Sequence, residues 1–124
     1  MADPVVQYVV VRTDLMQSMG WPLGSVVAQA CHAAVAIIWR ERNHSELMRE
    51  YFGENDELVP SMHTVVLGIS SEEKMMNLSA KLDAGEISHH LWREQPENIV
   101  TALASVPARK SVLSPFFRSL KLLR

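Results

Sequence analysis

The stretch VVVRTDLMQSMGWPLGSVVAQACHAA, residues 9–34, decides the fold. An apolar strand ends in Arg12-Thr13-Asp14, a loop carries Gly20, Pro22 and Gly24, and a helix of small residues opens near Ser25. In that helix Ser25, Gln29 and His32 stand at i, i+4 and i+7 and so share one stripe, while Val26, Val27, Ala30, Ala33, Ala34, Ile37 and Ile38 supply apolar contacts beside it. Three polar side chains on one stripe, just after a strand that exits through Asp14, frame a candidate site.

Working outward, VVQYVVVR at Val5 to Arg12 is β-branched and nearly continuous in its apolar character, as a strand covered on both faces requires. The helix runs from Ser25 to Arg42, where Arg40 and Arg42 suit a C-terminus. Ser45 is placed to cap a short helix, Glu46 to Phe52, closed by Gly53. Glu54 to Pro60 reads as an acidic loop. Met62 to Ile69 is a second strand, and Ser71 with Glu72 and Glu73 opens a helix to Ala84 that Gly85 ends. Ser88 to Glu94 and Ile99 to Val106 are further strands between breakers. A basic amphipathic helix is expected from about Ser114-Pro115. The order β-α-α-β-α-β-β-α implies an α/β fold: a small mixed four-stranded sheet flanked by helices in three layers.

The chain has 124 residues, 48% of them hydrophobic, enough for one core and short for two, so a single domain over 1–124 is expected. A net charge of −2 excludes a protein that simply coats nucleic acid, because such binding needs a large positive surplus. The single Cys31 permits neither an intrachain disulfide nor a cysteine-rich zinc site, and it reads as a small core residue. Met-Ala-Asp-Pro lacks a secretory profile, and the apolar run Val26 to Trp39 is shorter than a membrane span and contains Gln29 and His32. A soluble, cytoplasmic protein with no membrane part is expected.

VVVRTDL followed by GSVVAQACHAA resembles the type 2 peptidyl-tRNA hydrolase family, whose first strand and helix read VVRxDLxMGKGKxAAQxxHA. The likeness continues through VVLGISSEEKMMNLSAKL, through TALASVP where the family has TVLGIGP, and to a terminal LKLL. The resemblance implies a cytosolic hydrolase of the ester between peptide and tRNA, with no metal or other cofactor and with tRNA as its partner. It places Asp14, Gln29 and His32 on motif positions, Gly24 on the loop glycine and Thr101 on the strand threonine. Two departures stand out. The family lysine after the loop glycine is Ser25 here, and the family DAGRTQ segment is replaced by Glu94-Gln95-Pro96-Glu97-Asn98, in which Glu94 stands in for the aspartate. A non-catalytic relative, kept as a tRNA-binding or protein-interaction module, is the alternative that both departures favour.

Ester hydrolysis needs an activated water, a stabilised oxyanion and a grip on nearby phosphate. The expected catalytic set is His32 as base, oriented by Asp14 or Glu94, with Gln29 donating to the carbonyl oxygen. Substrate binding falls to Gly24, Ser25 and Thr101, with backbone N–H groups of Gly24 to Val27 facing a phosphate and Lys110 or Arg12 reaching the space the lysine leaves. His89 and His90 alternate faces and cannot share one metal. Positive charge gathers at Arg109, Lys110, Arg118, Lys121 and Arg124, the wet face of a helix or a tRNA contact. Met16, Met19 and Trp21 either cover the core or stack on a tRNA end. A homodimer through that loop or through FFRSLKLL is a further expectation.

Overall fold

Residues 5–12 form β1, a strand buried along its whole length, in a computed structural model that describes residues 3–44, 46–53 and 62–124. Its two faces feed two separate cores because strand side chains alternate. Val6, Tyr8 and Val10 point to one, and Val9 and Val11 to the other. After β1 come a short helix α1 (Asp14–Gln17), the long helix α2 (Leu23–Glu41) and α3 (Glu46–Phe52). Then follow β2 (Thr64–Ile69), α4 (Glu72–Ala84), β3 (His89–Glu94), β4 (Ile99–Ser105), β5 (Ala108–Arg109), α5 (Lys110–Phe117) and β6 (Lys121–Leu122).

The sheet runs β3-β4-β1-β2-β6, with β5 on β1 beyond the end of β4. β2 lies parallel to β1, Val11 facing Gly68, and the other pairings are antiparallel. Parallel neighbours need a long crossover, which α2 and α3 provide. Helix α2 buries Val26, Gln29, Ala33 and Ile37 against Val9, Val11, Ala102 and Ala104. On the opposite face α4 and α5 pack Met75, Leu78, Leu82, Leu113 and Phe117 on Val10, Leu67 and Leu103. The three-layer mixed α/β expectation is met.

The details differ in three places. The sheet has six strands, because two-residue β5 and β6 join the four expected ones. The last helix starts at Lys110 and holds Pro115 inside it, and the LKLL segment leaves the helix to pair with β2 at Leu67 and Gly68. Its first turn is held from the far end of the chain: Ser111 donates from both its backbone N–H and its hydroxyl to the Asp3 carboxylate. Third, α2 begins at Leu23, and its nineteen residues are long and apolar enough to cross a membrane by length and composition, more than residues 26–39 suggested. Ser45 and the segment 54–60 lie outside the described residues.

Candidate functional site

The site is built where β4 departs from regular pairing. Trp92 on β3 faces Ala102 and Arg93 faces Val100, so Thr101 is one residue too many on β4. Such a bulge breaks the strict alternation of a strand and can re-aim a side chain. Here Val100 stays in the core under α4, while Thr101 and Ala102 both turn toward α2. Thr101, wholly buried, donates its hydroxyl to Gln29 Oε1 at 2.7 Å.

Gln29 passes the contact on. Its Nε2 donates to Glu94 Oε2 at 3.0 Å. The opposite amide orientation would set its oxygen against a carboxylate, so Thr101 and Glu94 together define how the amide lies. The other carboxylate oxygen, Glu94 Oε1, accepts from the Trp92 indole at 3.1 Å. Trp92 and Glu94 are two apart on β3 and therefore on one face of the sheet. The Gln29 amide, and after it the Trp92 indole, hold the Glu94 carboxyl below the usual carboxylate range, with charge on His32 adding to the effect and burial opposing it. His32, exposed on α2 one turn after Gln29, lies with its ring 4.7 Å from that of Trp92. Glu94 also begins the tight β3–β4 connection. Asn98 donates its N–H to the Glu94 carbonyl at 2.7 Å from a left-handed conformation, φ 59°, which asparagine tolerates.

Beside this relay lies a groove of about 330 Å³ bounded by Trp21, Pro22, Ser25 and Gln29 on one wall and by Glu94 to Glu97 on the other. Gln29, Glu94 and Thr101 are thus in direct contact, with Ser25 and His32 at their margin. Asp14 stands apart. Both its oxygens are gripped by Arg12, Nε to Oδ1 at 3.0 Å and Nη2 to Oδ2 at 2.8 Å, and the acid beside His32 is Glu94. Lys110 is also remote. Its neighbour Arg109 pairs with Val5 at the start of β1, whereas the site lies near Val11, about 20 Å along the strand.

Gly24 is exposed on the first turn of α2, where an added Cβ would meet nothing within 4 Å. The N–H groups of Ser25 and Val26 both bond the Pro22 carbonyl, at 3.1 and 3.2 Å, so the row of free donors expected from Gly24 to Val27 is shorter than the sequence suggested. Arg12 does not point into the groove beside Glu94 but bonds the Val100 carbonyl and Asp14. His89 and His90 do diverge, His89 to Ser79 under α4 and His90 to Arg40 of α2. Cys31 is exposed on α2 and not a core residue. Trp92 was missed by motif, although its spacing from Glu94 is the signal that joins it to the site.

The family sequence model described as Peptidyl-tRNA hydrolase PTH2 matches residues 5–123. A Mus musculus protein named "Putative peptidyl-tRNA hydrolase PTRHD1" is 39% identical over 121 residues, covering 97% of this chain and 83% of the relative. The Homo sapiens protein of the same name is 38% identical over 126 residues, covering 99% of this chain and 86% of the relative.

Proposed function

From the premise that the chain belongs to the PTH2 family of peptidyl-tRNA hydrolases, we propose that it cleaves the ester joining a peptide or acyl group to tRNA, using the groove beside Glu94. The observation that carries this reading is the Thr101–Gln29–Glu94 relay, which fixes an ionised carboxylate on a wall of the groove, with the exposed His32 imidazole close enough to act on its charge. In this mechanism Glu94 orients a water against His32. The water oxygen attacks the acyl carbon while His32 takes its proton, and the Ser25 hydroxyl faces the developing oxyanion. The ester C–O bond then breaks and the ribose oxygen takes the proton from His32. The products are a free peptide carboxylic acid, which releases its proton to solvent at neutral pH, and tRNA with a 3′-terminal hydroxyl.

Gln29 acts through Glu94 in this scheme, since its amide oxygen and an N–H are already committed, and Asp14 has no place beside the reacting atoms. The same reading gives the protein cytoplasmic work and a tRNA partner that it meets through Arg118, Lys121 and Arg124 near the β6 edge. The test is release of labelled peptide from an N-blocked aminoacyl-tRNA by purified protein. Glu94→Gln and His32→Ala should each lower kcat by about 10²–10³-fold. Tight tRNA binding with no turnover by the unaltered protein would overturn hydrolysis and leave the binding module, a reading that Ser25 in place of the family lysine favours.

A further inference from the structure

The bulge that turns Thr101 toward Gln29 is held from the other face of the sheet. Val100, the residue before it, has both its backbone groups bonded to charged side chains. Its N–H donates to Glu72 Oε1 on the first turn of α4 at 2.7 Å, and its carbonyl accepts from Arg12 Nη1 at 2.8 Å. Arg12 is buried and is itself locked by the two bonds it donates to Asp14, whose side chain is 23% exposed. Two elements, the exit of β1 and the start of α4, thus converge on one residue of β4, with Asp14 at the start of α1 holding the arginine in place. A bulge forgoes regular ladder bonds, so its geometry depends on what replaces them.

We propose that Glu72, Arg12 and Asp14 are positioning residues for the hydrolytic site: by clamping Val100 they keep Thr101 rotated onto Gln29, and through Gln29 they set Glu94. None of the three reaches the groove beside Glu94. The chain of contacts runs Asp14, Arg12, Val100, Thr101, Gln29, Glu94, each link a bond between named atoms or a peptide unit. Glu72 enters it at Val100 from the α4 side. In a packed sheet, releasing one end leaves Thr101 able to return to regular alternation, facing the α4 core, and Gln29 then loses the acceptor bond that orients its amide. This inference rests on the hydrolase reading for its kinetic consequence but not for its structural one.

The experiment therefore uses two readouts. The indole N–H resonance of Trp92 in ¹⁵N-labelled protein reports the bond to Glu94 and, followed against pH, the titration of Glu94. Peptide release from an N-blocked aminoacyl-tRNA reports kcat and KM separately. In Glu72→Ala the Trp92 indole resonance should move toward its position in Thr101→Val, and the Glu94 titration should shift up toward the ordinary carboxylate range. kcat should fall by about 10- to 100-fold with KM changed less than about twofold, as displacement of a reacting group produces. Glu72→Gln keeps an oxygen for the Val100 N–H and should recover most of both signals. If Glu72→Ala does not fold, Asp14→Asn, altered at the partly exposed end of the chain of contacts, carries the same expectation with smaller shifts.

A Trp92 resonance and a Glu94 titration unchanged in the folded variant would overturn the positioning role, whatever happens to turnover. Shifts of both in a protein that never releases peptide would uphold it and remove the hydrolase reading instead.

Discussion

Gln29 shows how much chemistry rests on a single buried amide. At 2% exposed it has no water to replace a lost partner, and it serves Thr101 and Glu94 at once. Gln29→Ala should destabilise the protein by about 1–3 kcal/mol, since the wholly buried Thr101 hydroxyl is left without its acceptor. Denaturant titration at unchanged m would show it. The acid it holds has a pH signature. Because the folded Glu94 carboxyl is lowered, chiefly by Gln29 and then by Trp92, its contribution is complete above the ordinary carboxylate range of the unfolded chain. It fades as pH falls through that range and then through the lower folded value. Thermal unfolding followed from pH 7 to pH 3 should show the gap between the unaltered protein and Glu94→Gln narrowing as the solution is acidified, and a constant gap would contradict the assignment. Gln29 was legible from motif position, and Glu94 only as the acid standing where the family segment departs. Asp14 was legible as a residue but not as a contact, because nothing local says that a strand's last arginine folds back onto the next carboxylate.

At the scale of elements, legibility followed the range of the forces that end each one. Residues 72–84 announced themselves: Ser71 accepts the Lys74 N–H at 3.2 Å, Glu72 and Glu73 fill the first turn, and Gly85 stops the helix. All of those signals lie within a few residues. Helix α5 starts four residues before Ser114 because its first turn is anchored by Asp3, more than a hundred positions away, and no local pattern carries that. The bulge in β4 is hidden for a similar reason, since a strand's surplus residue exists only relative to its partner. Of the aromatic pair FF, expected to offer an interface, Phe117 is spent internally and Phe116 is partly buried against the same core. Phe117 is 1% exposed and stacks on Tyr8 with ring centroids 4.5 Å apart, inside the core under α4. Phe117→Ala should accordingly cost about 3–5 kcal/mol of folding stability, measured by chemical denaturation, with the oligomeric state unmoved. A change in sedimentation with little change in stability would return that helix to the role of an interface.

Across the whole molecule the distribution of charge limits how a polyanion can bind. The net charge is −2, and several cations are occupied, Arg109 alone of the cluster expected to gather being among them. Arg109 is tied to Glu50 and to the Asp3 carbonyl, Arg12 to Asp14, and Arg40 to the His89 carbonyl. Arg118, Lys121 and Arg124 stand toward the β6 side and join no ion pair among the described residues. Between the β3–β4 end, where Glu94 sits, and β6 lie β4, β1 and β2 in the order of the sheet, about 19 Å at ordinary strand spacing. A tRNA end in the groove can therefore touch few cations, two or three phosphates at most. Each neutralised phosphate steepens the salt dependence by about 0.9 in log–log slope for a duplex, so raising salt from 50 to 200 mM should weaken tRNA binding by only about 10- to 40-fold. Six to ten contacts would give about 10³–10⁵ over the same range. Filter binding across a salt series measures the slope directly, and Lys121→Glu or Arg124→Glu should lower it by about one, with kcat for bound substrate unaffected. A slope that neither substitution moves would place the acceptor stem elsewhere on the surface, and a slope near −6 would mean that cations now held in ion pairs are released to the tRNA when it binds.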